Sequence, residues 1–447
     1  MRRRMLRAAA SLLLLALPLA GCSGPASPEK PQEETPPMKA SSAPAPAQEV
    51  SRAPSAEEQK EQPDSSPFLP AKAVLQKSGG QSTVWELQFS SPQPVNFVLL
   101  PEGTNAAAAV VQNGEKQLYR SSPDSDSRLL RFDTEQAERL TLLLESPQNT
   151  KEEPRAGLLS GETALFAYLP ASTSPEILES YAASFKRLKQ VTVITGLCWD
   201  ENGQVTVIDE NYPALMEKLC ALREQFGFSV SSTLYPARSL IQEGRAGEVT
   251  EKNREALQAS ILSHAREYRL NGIDLDWETP RDAAEWESCC ALIAGLGALK
   301  EEAGLSISAA LYPENTGRLS LEAMAALDRL QLMSYDQFDP FGRHASFEGM
   351  AADIRQALQA GWESEQLMVG IPAYGRPLDG AARWPLYCDQ PLPLETNLLE
   401  GSYFNNLQMV RDKAAFCQLS GLGGAFLFHL TGDLPAENPH SLLGAID

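Results

Sequence analysis

The stretch NGIDLDWE, residues 271–278, places three carboxylates at alternate positions in an otherwise apolar run. Successive side chains of a β-strand point to opposite faces, so Asp274, Asp276 and Glu278 are expected to share one face. Like charges crowded together in a partly dry cavity retain at least one proton, which allows a carboxyl to act as a general acid near neutral pH. A half-exposed strand with a solvated acidic face is the alternative.

The flanking sequence favours the functional interpretation. A helix-like segment, residues 253–269, precedes the run, and a second one, residues 282–300, follows Pro280. A strand between two helices is usually a parallel strand that is covered on both faces. Carboxylates in such a strand need a functional reason.

The region from about Gly161 to Asp447 alternates apolar strands with amphipathic helices. Eight strand candidates can be found: residues 164–169, 191–199, 228–235, 272–278, 306–312, 329–336, 367–374 and 424–430. Eight βα units predict an α/β fold, a (β/α)8 TIM barrel with its active site at the C-terminal ends of the strands. A doubly wound open sheet is the alternative, but no glycine-rich phosphate loop follows the first strand.

Four segments of this region resemble the motifs of one known family. NGIDLDWE is similar to the D-G-x-D-x-D-x-E signature of glycoside hydrolase family 18, the chitinase-like enzymes. Residues 333–336 (MSYD), 370–376 (GIPAYGR) and 423–428 (GGAFLF) resemble the family's M-x-Y-D, G-x-P-x-Y-G-R and G-G-x-x-x-W in the same order. The segment WDENG, residues 199–203, resembles the bacterial branch of N-acetylglucosaminidases that lyse cell wall and spore cortex.

The resemblance implies a retaining glycoside hydrolase that cleaves β-1,4 bonds at N-acetylglucosamine by substrate-assisted catalysis. Glu278 is implied as the proton donor to the leaving oxygen. Asp276 is implied to orient the substrate acetamide, with Asp274 sharing a proton behind it. Tyr335 is implied to hydrogen-bond the acetamide carbonyl, and Asp336 to contact the sugar.

Further residues are implied to shape the subsite: Met333, Tyr374, Arg376 and Phe428. Asn271 and Phe428 are among the positions that depart from the family pattern. Asn271 stands where the signature has Asp, which is expected to affect a hydrogen bond behind the site, and Phe428 replaces the usual Trp, which weakens the stacking floor. Trp384, in the short segment after the seventh strand, is a candidate sugar platform.

The first 22 residues predict a lipoprotein signal peptide. Arginines at positions 2, 3, 4 and 7 precede an apolar run, Leu12–Leu19, that is too short to span a bilayer. The sequence LAGC, residues 19–22, resembles a lipobox, in which Cys22 is lipidated. We therefore expect an extracytoplasmic protein that is lipid-anchored to the bacterial cell membrane.

Two regions separate this signal from the barrel. Residues 23–66 are rich in Pro, Ala, Glu, Ser and Gln, which predicts a disordered tether. Residues 67–155 contain short alternating runs between turn residues, which predict a small β-sandwich. The sandwich is either a ligand-binding module or a spacer.

Composition excludes some partners. A formal net charge of −20 argues against nucleic acid, which requires a basic surface. The cysteines and the four histidines follow no zinc-binding pattern, so neither a metal nor another cofactor is expected. Cys289 and Cys290, adjacent on a predicted helix, are expected to be thiols rather than a bridge.

The resemblance therefore implies a polysaccharide or oligosaccharide containing N-acetylglucosamine as the binding partner. Peptidoglycan or cortex glycan is the first hypothesis, because a lipid anchor would hold the enzyme beside the wall. A catalytically silent glycan-binding lectin of the chitinase-like type at the cell surface is the second. A chitinase or an endo-β-N-acetylglucosaminidase acting on N-glycans is the third.

Overall fold

The computed structural model describes residues 66–79, 82–104, 106–120, 126–145, 152–390, 392 and 396–446. The predicted signal peptide, the Cys22 lipobox and the predicted tether as far as residue 65 lie outside the described residues. No helix in the described part of the chain is both long and apolar enough to cross a membrane. Residues Ser66–Asp447 form one compact unit that contains an antiparallel sheet domain and a barrel.

Six antiparallel strands build the sheet domain: β1 Lys72–Gly79, β2 Ser82–Leu99, β3 Ala106–Asn113, β4 Glu115–Arg120, β5 Leu129–Glu145 and β6 Arg155–Gly157. Their order is β1-β2-β5-β3-β4, and β6 pairs with β2. Two register shifts interrupt the long β2–β5 ladder, at residues 88–93 and 95–97. Such irregularities bend strands. Buried side chains from both halves of these strands, such as Trp85, Val98, Leu130 and Leu142, pack in one cluster.

The domain predicted as a small β-sandwich consists of antiparallel strands in the structure. The domain is nevertheless one continuous hydrogen-bonded sheet rather than two separate ones. Alternating apolar residues predict strands on either side of a core, but they do not reveal that β2 and β5 run through both halves of the domain.

Eight parallel strands form the barrel: β7 Leu165–Pro170, β8 Leu188–Trp199, β10 Ser229–Pro236, β11 Gly272–Leu275, β12 Ser306–Leu311, β13 Arg329–Leu332, β14 Leu367–Pro372 and β18 Gly424–Phe428. Each strand pairs with the next in this order, and β18 pairs with β7 to close the ring. The predicted (β/α)8 barrel is confirmed.

Short strands lie outside the ring. A hairpin strand, β9 Val205–Val207, pairs with the end of β8. Between β14 and β18, the strands β15 Arg376–Pro377, β16 Leu398–Leu399 and β17 Ser402–Tyr403 form a small antiparallel sheet.

The α-helices are α1 Ala182–Phe185, α2 Tyr212–Phe226, α3 Arg238–Glu243, α4 Ala246–Lys252, α5 Arg254–Glu267, α6 Ala283–Ala303, α7 Leu321–Ala326, α8 Phe347–Gln359, α9 Leu407–Leu419 and α10 Leu442–Ala445. Short 3₁₀ helices are Pro175–Tyr181, Pro313–Asn315, Ser364–Gln366, Tyr387–Asp389 and Leu430–Gly432. Several helices begin at side-chain caps, for example Asp282 on α6 and Ser346 on α8. Their buried faces pack on the barrel strands in one large apolar cluster.

Two barrel strands end three or four residues earlier than predicted. β11 ends at Leu275 rather than at Glu278, and β13 ends at Leu332 rather than at Asp336. Asp336 has φ 63°, a left-handed conformation that ends extended backbone and that Asp tolerates better than most residues. The later acids therefore lie on loops at the C-terminal edge of the strands, here called the barrel mouth.

Asn271 lies at the opposite end of the barrel from the mouth. Its Oδ1 accepts hydrogen bonds from the Val230 backbone N–H at 2.9 Å and from the Arg223 guanidinium at 3.0 Å. It therefore fixes the start of β11 against β10. The expected effect of Asn271 on a hydrogen bond behind the active site is wrong, because a residue that precedes a parallel strand lies a strand length from the mouth.

The variant Asn271→Ala is expected to reduce the free energy of unfolding by about 1 kcal/mol, because the Val230 N–H loses its partner. Denaturant titration by circular dichroism measures the change. Glu217→Ala, at an exposed position on α2, is the control and should leave the midpoint unchanged. An Asn271→Ala midpoint equal to that of the control would contradict this role.

Candidate active site

Asp274 is the innermost of the three acids and is fully buried. Its Oδ2 accepts a hydrogen bond from the Tyr168 hydroxyl on β7 at 2.6 Å, and its Oδ1 accepts one from the Ser308 hydroxyl on β12 at 2.5 Å. Burial raises the pKa of Asp274, while the two hydrogen bonds act in the opposite direction. The carboxyl is therefore held rigidly across the barrel interior.

Asp276 and Glu278 follow on the loop after β11, and both are half-buried. Burial raises the pKa of Asp276 well above its ordinary range, and the neighbouring Glu278 and Asp274 carboxylates raise it further. Burial also raises the pKa of Glu278 to about 7, with a contribution from Asp336. Together the acids hold protons at pH values where an exposed carboxyl is ionised.

Asp336 lies on the loop after β13 and is held by three neighbours. Its Oδ2 accepts a hydrogen bond from the Tyr374 hydroxyl at 2.9 Å, and its Oδ1 pairs with the Arg376 guanidinium at 2.5 Å. The ring of the buried His344 lies 3.6 Å from the same Oδ1. Burial lowers the pKa of His344 to about 3, so this ring is neutral and Arg376 supplies the positive charge.

An aromatic floor lies beneath the acids, formed by Tyr168, Tyr335, Tyr374 and Phe428. The Phe428 ring centroid lies 5.6 Å from that of Tyr168, 5.5 Å from that of Tyr335 and 6.4 Å from that of Tyr374. Met333 is buried in the same cluster. Burial raises the pKa of both Tyr335 and Tyr374, so their hydroxyls remain available as hydrogen-bond donors.

The close approach of Tyr335 to β14 depends on a glycine. A Cβ added at Gly370 would lie 2.5 Å from the Tyr335 ring and 2.8 Å from the Phe426 ring. Only a residue without a side chain allows the Tyr335 ring to lie against this strand.

Trp384 lies beside this cluster, and it is half-buried. The Arg376 guanidinium lies 4.5 Å from the Trp384 ring centroid and 5.0 Å from the Phe338 ring centroid. Cation–π contacts of this kind hold the arginine between two rings. Trp384 therefore contacts the residue that binds Asp336, and its use as a sugar platform stays a prediction.

The structure brings the predicted catalytic and substrate-binding residues together around the barrel mouth. The alternation of side chains along a strand, which predicted that the three acids share one face, applies only as far as Leu275, where β11 ends. Sequence reasoning missed several partners: Tyr168, Ser308, Phe338 and His344. Tyr168 and Ser308 lie in apolar barrel strands, where one inward polar residue resembles an ordinary core position. Tyr312, the last residue of the predicted strand 306–312, also lies near these acids: burial raises its pKa most, and Glu278, Asp336 and Asp276 raise it further.

The described residues contain no group of three or more His, Cys, Asp or Glu side chains that could hold a metal ion. Cys289 is buried and Cys290 is half-buried, and both are free thiols, as expected. At the mouth the described residues offer carboxyls, tyrosine hydroxyls and one arginine.

Residues 245–433 match the family model described as Glycosyl hydrolases family 18. The match covers less than half of the 447-residue chain, but it includes the three acids, Asp336 and Phe428. It supports the resemblance to family 18 that the motifs indicate.

One curated relative is named as a chitotriosidase and another as a chitinase. Chitotriosidase-1 of Mus musculus is 25% identical over 250 residues, an alignment that covers 41% of this chain and 54% of the relative. Chitinase A1 of Niallia circulans is 23% identical over 265 residues, covering 41% of this chain and 38% of the relative. The chain thus spans about half, or less, of the length of the curated relatives it matches.

Solved structures agree on the fold. A chitinase from Bacteroides thetaiotaomicron superposes with a TM-score of 0.53 at 18% identity, covering 64% of this chain and 96% of that one. The family 18 chitinase ChiB of Flavobacterium johnsoniae gives 0.52 at 18% identity, covering 64% and 93%. Human YKL-39, described as a pseudo-chitinase with retained chitooligosaccharide binding properties, gives 0.51 at 15% identity, covering 64% and 98%. These likenesses show the barrel fold.

The raised pKa of Glu278 predicts a pH-dependent cost to stability. Between the ordinary pKa of Glu and about 7, the unfolded chain has lost the Glu278 proton while the folded chain keeps it, so the free energy of unfolding falls as pH rises through this window. Glu278→Gln removes that dependence. The variant is expected to be more stable than the parent at pH 8 and equal to it at pH 4.

Urea titrations of both proteins at pH 4, 6 and 8 measure this difference. Glu314→Gln, at an exposed rim position, is the control and should follow the parent at each pH. If Glu278→Gln is no more stable than the parent at pH 8, the carboxyl is not held in its neutral form.

Proposed function

We propose that this protein is a retaining glycoside hydrolase that cleaves β-1,4 bonds at N-acetylglucosamine by substrate-assisted catalysis. The observation that carries the proposal is Glu278, a half-buried carboxyl with its pKa raised to about 7, beside two further acids and above an aromatic floor. A general acid works best when its pKa lies near the operating pH. Family 18 likeness provides the reaction class.

In this mechanism the protonated Glu278 carboxyl gives its proton to the glycosidic oxygen as the bond to the anomeric carbon breaks. The 2-acetamido oxygen of the substrate attacks the same carbon and forms an oxazolinium ion. Water then attacks the anomeric carbon and gives its proton to the Glu278 carboxylate, which restores the starting state. Two inversions at one carbon give net retention.

The other acids stabilise charge and position the acetamide group. Asp276, with its proton affinity raised by Glu278 and Asp274, accepts a hydrogen bond from the acetamide N–H as positive charge develops on that group. The Tyr335 hydroxyl donates a hydrogen bond to the acetamide oxygen. Asp336, fixed by Tyr374 and Arg376, accepts hydrogen bonds from the sugar hydroxyls.

We further propose peptidoglycan or cortex glycan as the substrate and the outer face of the bacterial cell membrane as the location. The support is the sequence of residues 1–22, in which Cys22 follows a lipobox-like segment, and the likeness of residues 199–203 to the wall-lytic branch. A membrane anchor would keep the barrel beside the wall. Chitin fragments and N-glycans contain the same sugar and are the substrates to be compared with it.

A catalytically silent lectin is the second candidate, since YKL-39 shares the fold and is a pseudo-chitinase that binds chitooligosaccharides. This chain retains Glu278 with a raised pKa, which favours the enzyme. Incubation of the protein with muropeptide strands, chitooligosaccharides and N-glycans separates the candidates. New reducing ends support a hydrolase, and binding without release supports a lectin.

Glu278→Gln is expected to lower kcat at least 100-fold, because general acid catalysis contributes about 10²–10⁴ and the amide has no proton of comparable acidity to give. Reducing-end release from the most responsive of the three substrates measures the change. Glu314→Gln, which alters a rim carboxyl, should retain the parent rate. Full activity in Glu278→Gln would show that another group donates the proton.

The rate is also expected to fall as pH rises above about 7, because Glu278 must carry its proton in the free enzyme. A plot of kcat/KM against pH should show an alkaline limb centred near that value. A rate that stays constant to pH 9 would contradict the assignment.

A further inference from the structure

Asp126 belongs to the sheet domain, where it lies just before β5, but its carboxyl contacts the barrel. Its Oδ2 lies 3.5 Å from the Arg343 guanidinium and accepts a hydrogen bond from the Tyr403 hydroxyl at 3.2 Å. The side chain is only 10% exposed. A carboxylate buried in a domain interface destabilises the fold unless it is paired. The contacts with Arg343 and Tyr403 therefore compensate for the burial of Asp126, and packing of a simple spacer would not need such a buried charge.

Arg343 belongs to a loop that we call the clamp loop, residues 337–346, which follows Asp336 directly. The Arg343 Nε donates to the Asp339 carboxylate at 2.6 Å, and the Arg343 guanidinium lies 5.2 Å from the Phe341 ring. Phe338 and His344 pair as an antiparallel bridge that closes the loop on itself. Asp126 therefore contacts a loop that is held together by its own side-chain and backbone contacts. The same loop contains His344, a neighbour of Asp336.

Tyr403 links Asp126 to the other side of Asp336. Tyr403 lies on β17 and pairs with Arg376 on β15, the residue whose guanidinium binds Asp336. The Tyr403 carbonyl also accepts a hydrogen bond from the His344 Nε2 at 3.1 Å. One carboxyl from the sheet domain thus contacts both segments that hold Asp336.

A buried lysine, Lys413, also contacts the clamp loop and lies near Asp126. The Nζ of Lys413, on α9, donates to the Ala345 carbonyl at 2.6 Å and to the Asn405 side-chain oxygen at 2.7 Å. Lys413 is completely buried, and Asp126 is one of the carboxylates that stabilise its charge. Burial raises the pKa of Asp126, and the two cations of the barrel, Arg343 and Lys413, act in the opposite direction and favour its carboxylate form.

The rest of the interface keeps Asp126 in place. Phe97 and Leu129 of the sheet domain are buried in the barrel's own apolar cluster. The Arg128 guanidinium donates to the Leu100 carbonyl at 3.0 Å and lies 3.7 Å from Glu348 at the start of α8. The backbone that carries Asp126 is therefore fixed to the barrel.

We propose that Asp126 is a positioning residue for the substrate site and that the sheet domain is a structural part of that site. Asp126 holds the clamp loop and β17 together, and through them it sets the positions of Asp336 and Arg376 at the barrel mouth. The inference rests on the proposed function for its ligand, an oligosaccharide of N-acetylglucosamine. A displacement of about 1 Å at a positioning group is enough to cost up to about 100-fold in the reaction it supports.

The test compares Asp126→Asn with the parent in the full chain. The amide keeps the size of the side chain and can still accept the Tyr403 hydrogen bond, so the change removes mainly the charge that pairs with Arg343. Glu102→Gln is the matched control, because Glu102 also crosses the interface, 3.6 Å from Arg355 on α8, without contacting the clamp loop.

Two readouts are required. Hydrogen exchange of residues 337–346 without ligand should become faster in Asp126→Asn and stay unchanged in Glu102→Gln. Binding of the N-acetylglucosamine tetramer, measured calorimetrically in a Glu278→Gln background to prevent turnover, should weaken about tenfold in Asp126→Asn only. In the active background, KM should rise by the same factor while kcat changes less.

A double variant, Asp126→Asn with Arg343→Gln, tests the contact itself. If the two residues act through their ion pair, the double variant binds the tetramer no more weakly than the worse single variant. If Asp126→Asn does not fold, Tyr403→Phe removes the second contact of the same carboxyl and carries the same two readouts.

The outcomes separate this inference from the proposed function. If the parent binds neither the tetramer nor any of the three glycans, the proposed function is wrong. The hydrogen-exchange data then still test the contact between Asp126 and the clamp loop. If exchange in the loop or binding of the tetramer is the same in Asp126→Asn as in Glu102→Gln, Asp126 does not position the site.

Discussion

The chemistry at the barrel mouth depends on the burial of Asp274 between β7 and β12. This carboxyl is removed from water and is held by the hydroxyls of Tyr168 and Ser308, so it stays in one position across the interior. Burial raises the pKa of Asp276 most, and the Glu278 and Asp274 carboxylates raise it further, whereas the pKa of Glu278 is raised by burial and by Asp336. The raised pKa of Asp276 therefore depends in part on the fixed position of Asp274 in the barrel core.

Much of the barrel could be predicted from its apolar periodicity. All eight strands occur where the alternation of strands and helices places them, because a closed barrel buries both faces of each strand and so requires continuous apolar runs. The strand ends could not be predicted in the same way. Asp276 and Asp336 follow apolar strands without a change of composition, but they lie on loops, since inter-strand pairing stops at Leu275 and Leu332.

The partners of the candidate site were harder to predict than its acids. The motif residues can be recognised in the sequence by their charge and spacing. Tyr168 and Ser308, in contrast, are single polar residues in strands whose sequence is otherwise typical of a buried core. Asp126 and Arg343 are distant in the chain, and only the packing of the sheet domain on the barrel brings them together. Local periodicity carries no information about such a contact, which also explains why a spacer and a functional module could not be distinguished for the sheet domain.

The aromatic floor connects the substitution at Phe428 to the behaviour of the acids. Phe428 offers a smaller face than tryptophan for stacking on a sugar, but its ring packs against Tyr168, Tyr335 and Tyr374. Desolvation is the largest contribution to the raised pKa values of Asp276 and Glu278. An aromatic floor that stacks less strongly on a sugar is therefore still compatible with proton donation by Glu278. The burial that raises the pKa of Glu278 depends on close packing around the carboxyl rather than on the size of one ring.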